Sequence, residues 1–185
     1  MTIFGSFDLQ REMISFAAGC FLLYFPFVWC RVRNEDPMDY GLILRRSKKD
    51  VIETLLISLA ILLLITPAAF YLAQISLPIH RGGADVMRLA ASGLAAAIIE
   101  EFFFRGWLQS LLRKRFSAFF AIVAVNMVFA PIHLIATRDP RILLTFFPGL
   151  VMGGLRERYG NVLPSIIFHF LGNLWAVWFF PFIMS

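Results

Sequence analysis

Residues 97–108 read AIIEEFFFRGWL, placing Glu100, Glu101 and Arg105 inside a run that is otherwise as apolar as lipid. On a soluble helix three such charges would be ordinary. At the centre of a bilayer each costs roughly 2.5–3.5 kcal/mol on insertion scales, so they would need partners or a task. The rest of the chain decides between the two. Of its 185 residues 59% are hydrophobic, 16% are charged and twenty-one are phenylalanine, whereas soluble domains carry about 25% charged residues. The net charge of +5 does not imply nucleic acid, because the basic residues fall between apolar runs rather than on one soluble face. The composition is that of a membrane protein.

A helix needs about 20 predominantly apolar residues to cross the hydrocarbon core. That ruler predicts six spans, near 12–30, 52–77, 87–111, 118–136, 142–157 and 162–183. The fold class expected is an all-α, polytopic membrane bundle forming a single domain over 1–185. The first run continues through Trp29 and Cys30, too long for a cleaved signal peptide, and is read as a retained span. Arg31, Arg33, Arg45, Arg46, Lys48, Lys49, Arg113, Lys114, Arg115, Arg156 and Arg158 follow the odd-numbered spans. The other side has Arg11, Arg81, Arg88, Arg138 and Arg141. The positive-inside rule then puts both termini outside and runs the third span inward. The polar stretch 31–50 is read as a cytoplasmic loop whose YGLIL could lie at the interface. Cys20 and Cys30 lack any CxxC partner and are read as packing residues. His80 is read as a solvated loop residue. Gly149 and Gly153, four apart, allow a neighbouring helix to approach closely.

The charges in the third span sort by helix geometry. Glu101 and Arg105, at i and i+4, share a face and can pair, while Glu100 points elsewhere. In the fourth span Asn126, Phe129 and His133 line one stripe, with Pro131 disturbing the helical hydrogen bonding beside the histidine. In the last span His169 and Asn173 again stand at i and i+4. Each set alone could tie helices together by hydrogen bonds. Three helices carrying such sets at similar depth are accommodated most cheaply by turning them into one hydrated cavity. Ser92, Ser110 and Ser165 are not placed as nucleophiles, so the chemistry available is general-base activation of water by a carboxylate with a histidine. Two donors on one helical face could hold the charge that develops on an attacked carbonyl oxygen.

EEFFFR at 100–105, FAPIH at 129–133 and HFLGN at 169–173 fit the motifs EExxxR, FxxxH and HxxxN. In that order they resemble the CAAX prenyl protease and bacteriocin-processing family of glutamic intramembrane endopeptidases. The stretch GLVMGGLRERYGNVLPSIIFHFLGNL is similar to that family's last two helices, and the likeness covers residues 88–176. The resemblance implies that Glu100 and His133 activate water and that His169 and Asn173 form an oxyanion hole. Glu101 and Arg105 would support them, and Phe129 would pack the site. It implies no cofactor and no metal, and a membrane-associated protein or peptide substrate cut near its C-terminus or at a leader or sorting segment. The membrane expected is the plasma membrane of a prokaryote. Two other readings use the same residues. One is a zinc protease with Glu100, His133 and His169 as ligands. The other is a non-catalytic immunity or scaffold protein, or a transporter using these groups as a proton relay.

Overall fold

In the computed structural model, residues 3–44, 47–76, 83–137 and 140–179 are described; His80, Arg81, Arg138 and the ends of the predicted second and sixth spans lie outside them. The described residues are helical with no strand. Helices α1 (Ile3–Arg33) and α2 (Lys48–Ser76) come first. A continuous rod follows, made of α3 (Gly83–Glu101), a π-helical segment (Phe102–Leu108) and the short α4 (Gln109–Arg113). Then come α5 (Ala118–Thr137), a 3-10 helix (Pro140–Thr145), α6 (Phe146–Tyr159) and α7 (Leu163–Phe179).

The apolar stretches Met13–Arg33 and Lys48–Tyr71 are long and apolar enough to cross a membrane, and little of either is buried inside the protein. Buried helices of a soluble core would show the opposite. Leu59, Leu63, Leu64 and Phe70 on α2 stand exposed to the surroundings. Two shorter apolar helices, Ala118–Leu134 and Leu163–Ala176, accompany them.

The predicted fifth span needs correction. Its α-helical part, Phe146–Tyr159, has 14 residues, or about 21 Å at about 1.5 Å per residue. The preceding apolar residues instead form the 3-10 helix, which packs against α5 and buries Ile142 completely. Hydrophobicity alone could not separate the two, because both are apolar.

The π segment is the wall between two cores. Phe102 and Trp107 pack with Cys30, Tyr40, Leu42, Ala97, Val162 and Ile166 on one side. Phe104 packs with Val125, Phe129, Met152, Leu155 and Phe168 on the other. Helix α1 lies against this rod through an aromatic ladder in which Phe25 and Trp29 meet Trp107 at centroid distances of 4.9 and 5.5 Å. Helix α2 packs on α7 and is pinned near both ends. Tyr159 Oη donates to Glu53 at 2.9 Å, and Trp175 Nε1 donates to Thr66 Oγ1 at 3.0 Å.

The stretch read as a cytoplasmic loop is folded into the bundle. Asp36 caps a 3-10 turn, Pro37–Tyr40, by accepting from the Met38 N–H at 2.8 Å, and Gly41 closes it at φ +65, a conformation that glycine adopts without strain. The turn buries Tyr40 and Leu42. Tyr40 Oη donates to Glu35, Lys114 Nζ meets that oxygen at 2.7 Å and Glu35 Oε1 at 2.9 Å, and the Tyr40 carbonyl accepts from Ser110 Oγ at 3.1 Å. The Tyr40 hydroxyl, with Lys114 beside it, holds the Glu35 carboxyl below its usual range, and the same hydroxyl and carboxylate raise Lys114. Arg113 with Glu157 and Arg158 with Glu53 sit at the same end of the bundle. Lys49, Arg113, Lys114, Arg156 and Arg158 are therefore linked through Glu35, Glu53 and Glu157 in one region, while Arg45 and Arg46 lie outside the described residues.

Leu42 seats this strap on the π segment. A Cβ at Gly106 would overlap Leu42 Cδ2 and lie 3.3 Å from Val162 Cγ1. Gly106→Ala should therefore lower stability by about 1–3 kcal/mol, the usual cost of overpacking. Leu42→Ala in the same chain should return part of the loss, read as the thermal midpoint in detergent. A double variant no more stable than Gly106→Ala alone would refute the contact.

Candidate active site

Glu100 and Glu101 are the last two residues of α3, immediately before the π segment. The Gln109 N–H donates to the Phe104 carbonyl, five residues back, which marks the widened turn. Glu101 turns inward and is fully buried with Arg105, whose Nη1 donates to Glu101 Oε1 at 3.0 Å. This is the pair expected from the i, i+4 spacing. Burying an ion pair costs desolvation that further hydrogen bonds offset. Here Arg105 Nη2 donates to Asn126 Oδ1 at 3.0 Å and toward the Gly149 carbonyl at 3.4 Å, while Arg105 Nε and Glu101 Oε2 are buried without a hydrogen-bond partner among the described residues. Its guanidinium carbon stands 4.1 Å from the centre of the Phe129 ring, a cation–π contact. The Phe129 ring also meets those of His133 and His169 at centroid distances of 4.5 and 6.1 Å.

Glu100 faces the other way, toward both histidines. His133 Nε2 lies 3.4 Å and His169 Nε2 3.8 Å from the same oxygen, Glu100 Oε2. The carboxylate and the His133 ring are each about a fifth exposed, while His169 is more enclosed. The helices α3, α5 and α7 therefore bring Glu100, His133 and His169 together.

The far nitrogens of both rings are already committed. His133 Nδ1 is 2.7 Å from the Phe129 carbonyl, and His169 Nδ1 is 2.8 Å from Glu101 Oε1. A carbonyl can only accept, so His133 carries its proton on Nδ1; the same assignment holds for His169 against an ionised Glu101. In the neutral rings both Nε2 atoms are then bases aimed at one carboxylate oxygen. Both separations exceed an ordinary hydrogen bond. The three groups are arranged to share protons with something placed among them, and water is the simplest such partner.

Asn173 stands one turn beyond His169, where its amide donates to the Gly93 carbonyl of α3 at 3.0 Å. The amide nitrogen carries two hydrogens, so this bond engages one of them. The serines dismissed as nucleophiles are tied to carbonyls: Ser92 to Leu89, Ser110 to Tyr40 and Ser165 to Met152. Both cysteines are free thiols, with Cys30 buried in the core under α1.

One feature of the site escapes the sequence: Glu101 serves Arg105 and His169 through a single oxygen, so the two motifs are coupled directly. Asn126, on the stripe with Phe129 and His133, ties α5 to the rod by accepting from Arg105.

A family model described as Type II CAAX prenyl endopeptidase Rce1-like matches residues 82–175. No curated protein and no solved structure matches the chain.

Proposed function

The chain belongs to the Type II CAAX prenyl endopeptidase Rce1-like family, and from that premise we propose that it is an intramembrane glutamic endopeptidase. In this reading it hydrolyses a peptide bond of a membrane-associated protein or peptide with water activated by Glu100 and His133. The observation that carries the reading is the convergence of His133 Nε2 and His169 Nε2 on Glu100 Oε2. Glu100 removes a proton from water and becomes neutral, while His133 Nε2 accepts the water's other hydrogen and holds its oxygen toward the carbonyl carbon. His169, protonated on both ring nitrogens with Nδ1 on Glu101, donates from Nε2 together with the second amide N–H of Asn173 to the carbonyl oxygen as it gains charge. The nucleophile is water itself, so no acyl-enzyme forms. The proton taken by Glu100 passes to the leaving amine.

The helical rods form one membrane-embedded domain in the plasma membrane of a prokaryote, with the strap and its basic residues on the cytoplasmic side. The exposed apolar surface of α1 and α2 and the gathering of cations at one end support this orientation. The substrate class is a C-terminal CAAX-type segment, a leader or a sorting signal. Purified protein in detergent or proteoliposomes, offered a farnesylated C-terminal peptide and its unlipidated counterpart, should cut at least one at a single internal bond. Loss of neither peptide, with the protein folded and monodisperse, counts against the proposal.

A zinc mechanism ranks second. It draws on the same geometry, since a histidine ligand commonly donates its other ring N–H to a carbonyl or carboxylate. Among the described residues, however, no group of three or more His, Cys, Asp or Glu is arranged to hold a metal ion. Cleavage is expected to persist in excess chelator. Complete loss, restored by zinc alone, would replace the glutamic mechanism by the metal one.

A further inference from the structure

Arg105 is fully buried, and it reaches Glu101 from within its own rod. Its other partners come from α5 and α6. We propose that Asn126 on α5 and Gly149 on α6 are positioning residues for the reaction centre: together they form a socket that holds the Arg105 guanidinium in register with Glu101, and through Glu101 Oε1 they set the His169 ring. The inference rests on the reading of Glu100, His133 and His169 as that centre. Neither residue belongs to the three sequence motifs.

The Asn126 amide has one orientation available. Its Nδ2 donates to the Ile122 carbonyl at 2.8 Å, which turns Oδ1 toward Arg105 Nη2 at 3.0 Å. Position 149 is where the socket closes. The Gly149 carbonyl lies 3.4 Å from Arg105 Nη2. A Cβ at this position would overlap Asn126 Oδ1, with Asn126 Cγ at 2.8 Å and Arg105 Nη2 at 3.0 Å. A Cβ at Gly153, four residues along the same helix, would meet Ile122 Cγ2 at 2.8 Å and Gln109 Oε1 at 3.1 Å, neither of which touches Arg105, while nothing lies within 4 Å of a Cβ at Gly154. The close approach at 149 is thus occupied by an amide and a guanidinium rather than by an apolar neighbour. A methyl group there must displace the polar groups that fix Arg105. From Arg105 the path is short: 3.0 Å to Glu101 Oε1, 2.8 Å on to His169 Nδ1, and from the other ring nitrogen 3.8 Å to Glu100.

Two readouts on the full chain in detergent test the socket: peptide cleavage, and ring-nitrogen NMR of histidine-labelled protein. The chain has three histidines, and His169→Gln assigns the ring in question. Gly149→Ala should lower kcat by about 10²-fold, the scale of a small misplacement relayed from outside the chemistry, with KM within about threefold. It should also move the His169 Nδ1 resonance. Asn126→Ala adds no bulk and should do both as well, which carries the test if Gly149→Ala does not fold. Adding Asn126→Ala to Gly149→Ala opens the space the methyl needs without restoring Oδ1, so the double variant should have the kcat of Asn126→Ala alone rather than the product of the two losses. Gly154→Ala is the control and should match the parent in both readouts. An unchanged His169 resonance in Gly149→Ala and Asn126→Ala overturns the socket, whether or not the protein proves to be a peptidase. So does a fall in activity that only tracks the loss of folded protein. A shifted resonance in a protein that cuts neither peptide leaves the socket standing and removes the peptidase assignment instead.

Discussion

Glu100→Gln should abolish peptide cleavage while leaving the protein folded. Glutamine keeps the length and planarity of the side chain but cannot accept a proton from water, and its amide can donate to the histidine nitrogens that the carboxylate faced. Removing a general base lowers kcat by about 10²–10⁴-fold, and KM should stay within about threefold, because the substrate's remote contacts are untouched. His133→Ala should fall in the same range, since His133 Nε2 stands 3.4 Å from the carboxylate. The thermal midpoint of Glu100→Gln should not drop. Unlike Glu101, which has Arg105 hydrogen-bonded to it, Glu100 faces the two imidazoles, and its Oε2 has no hydrogen-bond partner among the described residues. Replacing a charge in that setting by a neutral amide relieves desolvation. Full activity in both variants would mean that the residues serve another purpose, as they would in a scaffold or immunity factor.

The parts of this arrangement that sequence revealed are those that depend on local spacing. Glu101 and Arg105 pair because four residues return the chain to one face, and that relation holds even though Arg105 lies in a π segment. The stripe Asn126, Phe129, His133 holds for the same reason. The segment FFFRGWL gives no warning of its own π geometry, because its one charge, Arg105, still falls four residues after Glu101 and the apolar residues around it mark no register. The fifth span reads as one helix for a related reason: ILLT at 142–145 is as compatible with a 3-10 helix packed on α5 as with part of a membrane helix. The connection at 31–50 reads as a loop from its charges, and composition does not show that Tyr40 and Leu42 within it are buried. The Asp36-Pro37 start and Gly41 stop are the capping signals by which the strap could have been found. Gly149 was visible as a small residue, but what fills the space beside it is a tertiary fact. Likewise, helix periodicity turns Glu101 and Glu100 onto different faces and cannot show that α7 brings one histidine against both.

Arg105→Met should be among the most destabilising single changes in the chain. Methionine fills much of the volume and can still lie against the Phe129 face, so the loss is mainly electrostatic. Glu101, fully buried, would lose its only cationic partner among the described groups apart from a protonated His169. Removing one member of a buried ion pair typically costs about 3–5 kcal/mol, because the other charge is left desolvated. Asn126 Oδ1 and the Gly149 carbonyl would lose their donor as well. Glu101→Gln combined with Arg105→Met removes both charges and should recover much of the stability, as neutral replacements of buried pairs commonly do. Thermal unfolding in detergent measures the difference between the single and double variants. Activity should separate from stability here. In the double variant the residue at 101 can still offer its amide oxygen to His169 Nδ1, but without the charge that favours that tautomer and ring position. The expected outcome is a folded protein with strongly reduced kcat. A double variant as unstable as Arg105→Met would show that the arginine holds the helices together by its contacts with α5 and α6 alone, and that neutralising Glu101 is not its task.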